Sequence, residues 1–192
     1  MRDAMTWAAW LFTLAFLAGC GEPEEPAPPA AEESAPRIER PERAAAAVAA
    51  LKMQLSAALK EALAESPEAA IDACRVKAPA IAAAVAGPGL AVGRTSHRLR
   101  NPGNAPEDWM RPFLDEFRAA EPQPGAFRTV SLGERDTGYV EPIYLQPLCA
   151  TCHGEAVDPG LLATIREHYP EDEATGFRVG ELRGLFWAVV AD

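Results

Sequence analysis

Two cysteines separated by two residues and followed directly by a histidine limit the possible structure and function of this chain more than any other sequence feature. The segment is Cys149, Ala150, Thr151, Cys152 and His153. Thiols at this spacing can form thioether bonds with both vinyl groups of one haem, and the adjacent imidazole can then bind the iron. Covalent bonds retain an apolar cofactor even where the surrounding fold is small. The motif therefore predicts one c-type haem attached through Cys149 and Cys152, with His153 as an iron ligand.

Two other uses of paired cysteines fit this sequence less well. A dithiol redox pair has no role for His153, and no βαβ pattern of the thioredoxin type surrounds the motif. A structural zinc site normally has four ligands, and the sequence contains no second paired cluster. Haem attachment is therefore the favoured interpretation of the motif.

The first 20 residues have the pattern of a bacterial lipoprotein signal. No charge occurs in residues 7–17, and this run is shorter than the ~20 apolar residues that cross a membrane. Small residues precede Cys20, as a signal peptidase requires. We therefore predict a signal peptide at residues 1–19 and lipidation of Cys20. The alternative is a short membrane helix with an incidental cysteine, and Asp3, which offsets the charge of Arg2, departs from the usual pattern.

A lipidated Cys20 predicts a protein on the periplasmic side of a bacterial membrane, anchored to the outer membrane in preference to the inner one. Haem of the c type is attached in the same compartment, so the two motifs predict one location. Residues 20–43 are rich in Pro, Glu and Ala, which predicts an extended tether. Residues 44–192 are expected to form one domain. The net charge of −10 argues against nucleic acid as a partner.

Apolar residues at helical spacing predict two long helices at the start of the domain. The first carries one apolar stripe: Val48, Leu51, Leu55, Leu59 and Leu63. Ser66 and Pro67 suit the N-cap and first turn of a second helix, whose apolar stripe includes Cys74. Pro79 lies within this second helix and lacks the N–H that would bond the carbonyl of Arg75. A kink is therefore expected there.

The remainder of the domain combines short strands and helices without a βαβ rhythm. Strands are predicted at 90–99, 127–132, 139–145 and 185–190, and helices around 109–117 and 161–168. The second and third strands are separated by turn residues and predict a hairpin. This order predicts an α+β fold in which helices pack against an antiparallel sheet.

Cysteine usage singles out Cys74. Cys20 is assigned to lipid and Cys149 and Cys152 to haem, so Cys74 is left as an unpaired thiol in an oxidising compartment. Iron coordination by a thiolate would account for it, but so would the burial of a small apolar side chain, and the residues alone do not separate the two. Four other side chains that can bind iron are better explained as surface or packing residues: Met53, His97, Met110 and His168.

Four ordered segments resemble a bacterial family of exported, PAS-like c-type haem proteins that was formerly catalogued only as a domain of unknown function. The segments are Ala73-Cys74-Arg75-Val76-Lys77-Ala78-Pro79-Ala80-Ile81-Ala82, Gly93-Arg94-Thr95-Ser96 running to Arg100-Asn101-Pro102, Pro142-Ile143-Tyr144 through Cys152-His153-Gly154, and Ala174-Thr175-Gly176-Phe177 through Arg183-Gly184. The resemblance covers roughly residues 44–192 and is more specific than the haem motif alone.

The resemblance implies a PAS-like fold with long N-terminal helices and a covalently bound haem, whose iron is ligated by His153 and Cys74. It also implies a redox or gas sensor. We expect no enzymatic activity, and we expect a redox partner or a separate signalling protein to receive the output. At the position of His97 the family is expected to have a residue that is not a ligand. This departure leaves ligation by two histidines open.

Arg94, Arg98 and Arg100 are candidates to pair with the haem propionates, because guanidinium groups match carboxylates. Solvated charges on a strand are an equal explanation. For the function, we prefer the sensing role that the resemblance implies. A thiolate ligand is compatible with it, because a thiolate favours ferric iron and would weaken on reduction, which would let a small gas bind. Electron transfer between exported partners is the alternative. A peroxidase-like enzyme that uses His97 with Arg94 or Arg98 is disfavoured.

Overall fold

The computed structural model describes residues 39–191. The predicted signal peptide, Cys20 and nearly all of the predicted tether lie outside this range. Helix α1 spans Arg40–Glu65, so residues 40–43, which were expected to belong to the tether, are helical. Pro41 is compatible with the first helical turn, and Glu42 complements the helix dipole there. Among the described residues, no helix is both long and apolar enough to cross a bilayer.

The other helices and strands have ends within a few residues of those predicted. They are Pro67–Asp72 (α2), Ala78–Val85 (α3), Leu90–Thr95 (β1), Arg111–Ala119 (α4), Arg128–Ser131 (β2), Thr137–Tyr144 (β3), Ala150–His153 (α5), Pro159–His168 (α6) and Leu182–Val190 (β4). Short 3₁₀ turns occupy Pro102–Asn104, Asp108–Met110 and Pro147–Cys149. Helix α5 was not predicted, and β4 begins at Leu182 rather than at residue 185.

The second predicted helix is interrupted by a π-helical turn, Ala73–Lys77, which lies between α2 and α3. In this turn the N–H of Ala78 bonds the carbonyl oxygen of Ala73. Pro79 follows directly and has no N–H with which to continue the regular helical ladder, which accounts for the interruption. The predicted N-cap at Ser66 is confirmed, because its Oγ accepts a hydrogen bond from the N–H of Ala69 at 3.0 Å.

The strands form one antiparallel sheet in the order β1-β4-β3-β2, which confirms the predicted α+β class. In the central strand β4, Phe186 pairs with Arg94 of β1 and with Glu141 of β3. Direct cross-strand partners point to the same side of a sheet. Arg94, Phe186 and Glu141 therefore form one row across a single face.

Helices cover both faces of the sheet. On one face α1 packs Leu51 in a cluster with Ala188 of β4. On the other face α4 packs Phe117 in a cluster with Leu185 of β4. Phe186 contacts the α1 cluster, so its row faces α1.

Candidate haem-binding site

A cavity of about 1170 Å³ lies between α1 and the sheet. Its walls include the second half of α1, the π-helical turn and the row of Arg94, Phe186 and Glu141. Many of the lining side chains are apolar, among them Leu55, Leu59, Leu63, Ile71, Ile143, Leu145 and Leu148. Ligand pockets typically measure roughly 300–1,000 Å³, so the cavity has room for a group as large as a cofactor.

The three residues of the predicted haem motif all line this cavity: Cys149, Cys152 and His153. Cys149 ends a 3₁₀ turn, and Cys152 and His153 lie in the single turn of α5. This short helical segment brings both thiols and the imidazole to one wall. Gly154 ends the helix, and a Cβ atom there would lie 2.5 Å from the carbonyl oxygen of Ala150. Glycine therefore permits the tight exit of the chain from α5.

The end of α5 is bonded to the segment that precedes β4. The carbonyl oxygen of His153 accepts a hydrogen bond from the N–H of Phe177 at 3.0 Å. The carbonyl oxygen of Gly154 accepts one from the N–H of Gly176 at 2.8 Å. These two bonds fix the position of the motif relative to the sheet.

The imidazole of His153 has one nitrogen engaged by the backbone. Nδ1 lies 2.6 Å from the carbonyl oxygen of Ala174, so Nδ1 carries the proton and donates it. The Nε of Arg183 lies 3.4 Å from the same Nδ1. Since a protonated nitrogen cannot also accept a hydrogen bond, Arg183 acts there as a neighbouring charge. Nε2 keeps its lone pair, which is the arrangement that metal-binding histidines use.

The surroundings of His153 also favour the neutral imidazole. Burial lowers its pKa well below the usual range, and the nearby cations Arg183 and Arg100 lower it further. The hydrogen bond with Ala174 acts in the opposite direction. A histidine must be unprotonated at the coordinating nitrogen to bind a metal, and this environment meets that condition.

Arg100 connects the motif to the loop before β4. Its Nη2 donates to the carbonyl oxygen of Cys152 at 2.7 Å, and its Nε donates to Asp172 at 3.0 Å. The two side chains of this ion pair are 10% and 2% exposed. Asp172 also accepts a hydrogen bond from the N–H of Ala174 at 3.0 Å. One buried ion pair therefore positions Cys152 and, through Ala174, the imidazole of His153.

The three arginines predicted to meet propionates differ in their placement. Arg94 and Arg100 line the cavity, whereas Arg98 is not among its lining residues. Arg98 donates to the carbonyl oxygens of Glu173 and Thr175 and lies over the ring of Phe177. The structure thus does not bring Arg98 to the site, because its donors hold the backbone before β4 instead.

Arg94 is the arginine with the most freedom to bind a ligand. It lines the cavity, and no side-chain hydrogen bond or ion pair joins it to another residue in the range 39–191. Arg100, by contrast, is already bonded to Asp172 and to the carbonyl of Cys152. An anionic group in the cavity would therefore find its first partner in Arg94.

Arg183 is a site residue that the sequence predictions missed. It lies in β4, lines the cavity, and reaches the predicted iron ligand His153. Burial lowers the pKa of Arg183 to about 10, with further contributions from Arg100 and Arg94. The sequence contained a feature that could have identified this residue, because Arg183, flanked by Leu182 and Gly184, lies near the start of an otherwise apolar strand. The strand was predicted to begin after this arginine, so the residue was not considered part of the sheet.

Cys74 lies on the π-helical turn, is half-buried, and lines the same cavity as His153. The other candidate ligands are less well placed. Met53 also lines the cavity but is 68% exposed, and the other three are not among its lining residues: His97, Met110 and His168. Met110 is a core residue at 1% exposure. Cys74 is therefore the candidate for a second iron ligand that the structure brings to the site.

The described cysteines, Cys74, Cys149 and Cys152, are free thiols. Within residues 39–191, no group of three or more His, Cys, Asp or Glu side chains is arranged to hold a bare metal ion.

The cavity has a charge opposite to that of the whole chain. Five cationic side chains line it, Lys52, Lys60, Arg94, Arg100 and Arg183, against the single carboxylate of Glu141. The net charge of the chain is −10. Glu141 is paired with Lys52 at 2.5 Å, and Arg100 is paired with Asp172 at 3.0 Å. The charges of Lys60, Arg94 and Arg183 are therefore the ones that favour an anionic ligand.

The sequence from residue 37 to residue 190 matches the model of the Tll0287-like family. A solved structure, that of the cyanobacterial haem protein Tll0287, is 33% identical in sequence and has a TM-score of 0.47. That match covers 59% of the present chain and 66% of the other. No curated protein is similar enough to count as a match. Since the family model spans most of the sequence, the chain belongs to the Tll0287-like family.

Proposed function

We propose that this chain is a monohaem c-type protein that senses redox state or a small gas on the periplasmic side of a bacterial membrane. In this proposal Cys149 and Cys152 form the thioether bonds, and His153 binds the iron. The single observation that carries the proposal is the shared wall of two thiols and one imidazole, whose Nδ1 is engaged by Ala174 at 2.6 Å. The family takes its name from a haem protein, which agrees with this assignment.

The residues of the cavity fit such a group in three respects. Apolar side chains such as Leu59 and Leu63 suit a porphyrin. Nε2 of His153 retains the lone pair that coordination needs. Arg94, with Arg100 close to the motif, suits the carboxylates of the propionates.

We assign the second iron ligand to Cys74. Its thiol lines the same cavity as His153, and it lies on a π-helical turn, a feature that is frequent at functional sites. A thiolate at this position would also be a negative charge that interacts favourably with the cation of Arg183. Coordination explains an unpaired thiol in an oxidising compartment better than packing does, because Cys74 is only half-buried.

When bound, haem supplies an iron that changes its charge by one unit and can take up CO or NO where a protein ligand leaves. Cys74, bound as a thiolate, would stabilise the higher charge of such an iron and would be held less strongly by the reduced iron. Release of Cys74 would free the turn Ala73–Lys77, which joins α2 to α3. A turn with π-type hydrogen bonds would then be able to change its position, and a partner protein could detect that movement.

The location follows from residues outside the described range. The proposed signal peptide, residues 1–19, and the lipidation of Cys20 would place the domain at the end of a tether on the outer membrane in preference to the inner one. Expression with radiolabelled or alkyne-tagged palmitate tests this part separately. Incorporation into the parent and not into a Cys20→Ala variant is expected, and equal labelling of both contradicts it.

The test of the haem ligands is an absorption spectrum of the mature protein made together with haem-attachment machinery. Cys74→Ala should lose the thiolate features of the oxidised spectrum, whereas the matched variant Met53→Ala should keep them. Identical spectra for the parent and Cys74→Ala would contradict the assignment of Cys74.

Addition of CO to the reduced protein distinguishes sensing from the alternative function. Rapid binding of CO by the parent is expected for a sensor, because Cys74 leaves on reduction. Unchanged low-spin bands in CO would instead support an electron-transfer protein that keeps both ligands. Turnover of peroxide, which we do not expect, would support an enzyme.

A further inference from the structure

Arg183 is a half-buried cation, and no carboxylate among the described residues forms an ion pair with it. Its Nη1 donates to the Oγ of Ser96 at 2.7 Å and to the carbonyl oxygen of Arg98 at 3.2 Å. Among residues 39–191, no ion pair joins Arg183 to an acidic side chain, and Asp172 is paired with Arg100 instead. The positive charge of the guanidinium, beside the predicted iron ligand, is therefore not compensated by an ion pair.

The position of this charge relative to His153 gives it a specific effect. The Nε of Arg183 is 3.4 Å from the Nδ1 of His153. A hydrogen bond from Nδ1 to the carbonyl oxygen of Ala174 makes the imidazole a better electron donor, whereas an adjacent cation makes it a poorer one. Two opposing influences therefore act on the same nitrogen.

The backbone around Arg183 holds the guanidinium in place. The Oγ of Ser96 donates to the carbonyl oxygen of Arg183 at 2.6 Å, in addition to accepting from its Nη1. The next residue is Gly184, where a Cβ atom would overlap the carbonyl oxygen of Thr95. This close approach of β1 to β4 sets Ser96 against Arg183, so the charge has little freedom to move away.

We propose that Arg183 raises the reduction potential of the iron bound by His153. This inference rests on the proposed haem function. Reduction adds one electron to ferric iron and gives ferrous iron, with no proton transferred, and in the experiment dithionite supplies that electron. A fixed cation nearby favours the ferrous form over the ferric form, because the ferrous form carries one positive charge fewer and is repelled less. Arg183 acts through the imidazole and is a positioning residue, not an iron ligand.

Arg128 provides a matched control within the same structure. Its guanidinium lies over the ring of Phe117 at 5.2 Å, the same distance that separates the guanidinium of Arg183 from the ring of Phe177. Arg128 is exposed, pairs with Glu116 and is not among the residues that line the cavity. Its replacement removes an equal charge and a similar ring contact without disturbing the segment that holds His153. Arg98 is unsuitable as a control because it donates to the carbonyl oxygens on either side of Ala174.

The experiment is a potentiometric titration of the haem-loaded full chain in four forms: the parent, Arg183→Gln, Arg183→Lys and Arg128→Gln. The pigment attached to each denatured protein is measured in parallel. We expect Arg183→Gln to have a more negative potential than the parent. The potential of Arg183→Lys should lie closer to that of the parent because it keeps the charge, and the potential of Arg128→Gln should change little.

Equal potentials for the parent and Arg183→Gln would overturn the inference, and so would an equally large shift in Arg183→Lys. If Arg183→Gln does not accumulate, Ser96→Ala decides, because it loosens the guanidinium without removing it. A smaller negative shift in Ser96→Ala supports the inference, and an unchanged potential overturns it. Absence of attached pigment from the parent would instead contradict the proposed haem function itself.

Discussion

The Nδ1 of His153 lies 2.6 Å from the carbonyl oxygen of Ala174, 21 residues further along the chain. The N–H of Ala174 in turn donates to Asp172, which is paired with Arg100. A backbone carbonyl therefore determines which nitrogen of His153 remains free, and a buried ion pair determines where that carbonyl lies. The chemistry of the motif depends on a loop that the motif itself does not reveal.

Replacement of Asp172 tests how much this ion pair contributes to the domain. Asp172→Ala leaves the guanidinium of Arg100 without its carboxylate at a site where the two side chains are 10% and 2% exposed. Removal of one partner from a buried pair typically costs about 3–5 kcal/mol of unfolding free energy. Urea denaturation of the cofactor-free protein measures this loss.

Asp115→Ala is the control for that experiment. Asp115 pairs with Arg118 on the surface of α4, where the side chains are 69% and 57% exposed. Exposed pairs of this kind contribute about 0–1 kcal/mol. If Asp172→Ala lowers the free energy of unfolding no more than Asp115→Ala does, the ion pair of Arg100 does not stabilise the loop before β4.

A methyl group at Gly184 should destabilise the sheet. The Cβ of Gly184→Ala would overlap the carbonyl oxygen of Thr95 and approach the Cα of Ser96 to 3.2 Å. Overpacking of this kind typically costs about 1–3 kcal/mol. Gly87→Ala is the matched control, because a Cβ there has no atom within 4 Å. Thermal unfolding of both variants gives the comparison, and equal midpoints would refute the predicted contact.

His97 should be dispensable for both stability and ligation. Its Nδ1 is buried without a hydrogen-bond partner among the described residues, so His97→Leu removes an unsatisfied polar atom and should be neutral or stabilising at pH 8. Since His97 is not among the lining residues of the cavity, the oxidised spectrum should not change. A changed spectrum would revive ligation by two histidines.

The same residue should make the domain sensitive to acid. Burial lowers the pKa of His97 below 6.5, and the charges of Arg118, Arg183 and Arg98 act in the same direction. The unfolded chain therefore takes up a proton more readily than the folded one, so stability present above pH 6.5 is lost as the pH falls through this value. Between pH 8 and pH 5, urea denaturation should show a smaller loss of unfolding free energy for His97→Leu than for the parent. Equal losses would contradict the assignment of acid sensitivity to His97.

Local sequence patterns predicted most of the secondary structure. The apolar stripe of α1, the cap at Ser66 and the hairpin of β2 and β3 each depend on residues that are close in sequence. Pro79 predicted an interruption in the second helix, although not that it would be a π-helical turn, because a missing N–H can be accommodated in more than one way.

The surroundings of the motif were less predictable. The sequence singled out Cys149, Cys152, His153 and Cys74, and the structure brings all four to one cavity. Their supporting contacts join distant segments, as the Arg183 contact with His153 illustrates. Such pairs follow from sheet register and loop paths, which no local pattern encodes.

Covalent attachment is the claim on which the account depends most directly, and a denaturing gel tests it. The mature chain, produced together with haem-attachment machinery, is denatured, extracted with acidified acetone and stained for haem peroxidase activity. The parent should keep its pigment on the polypeptide, and a variant carrying both Cys149→Ala and Cys152→Ala should lose it. Complete release of pigment from the denatured parent, or a parent that acquires none, would contradict the account.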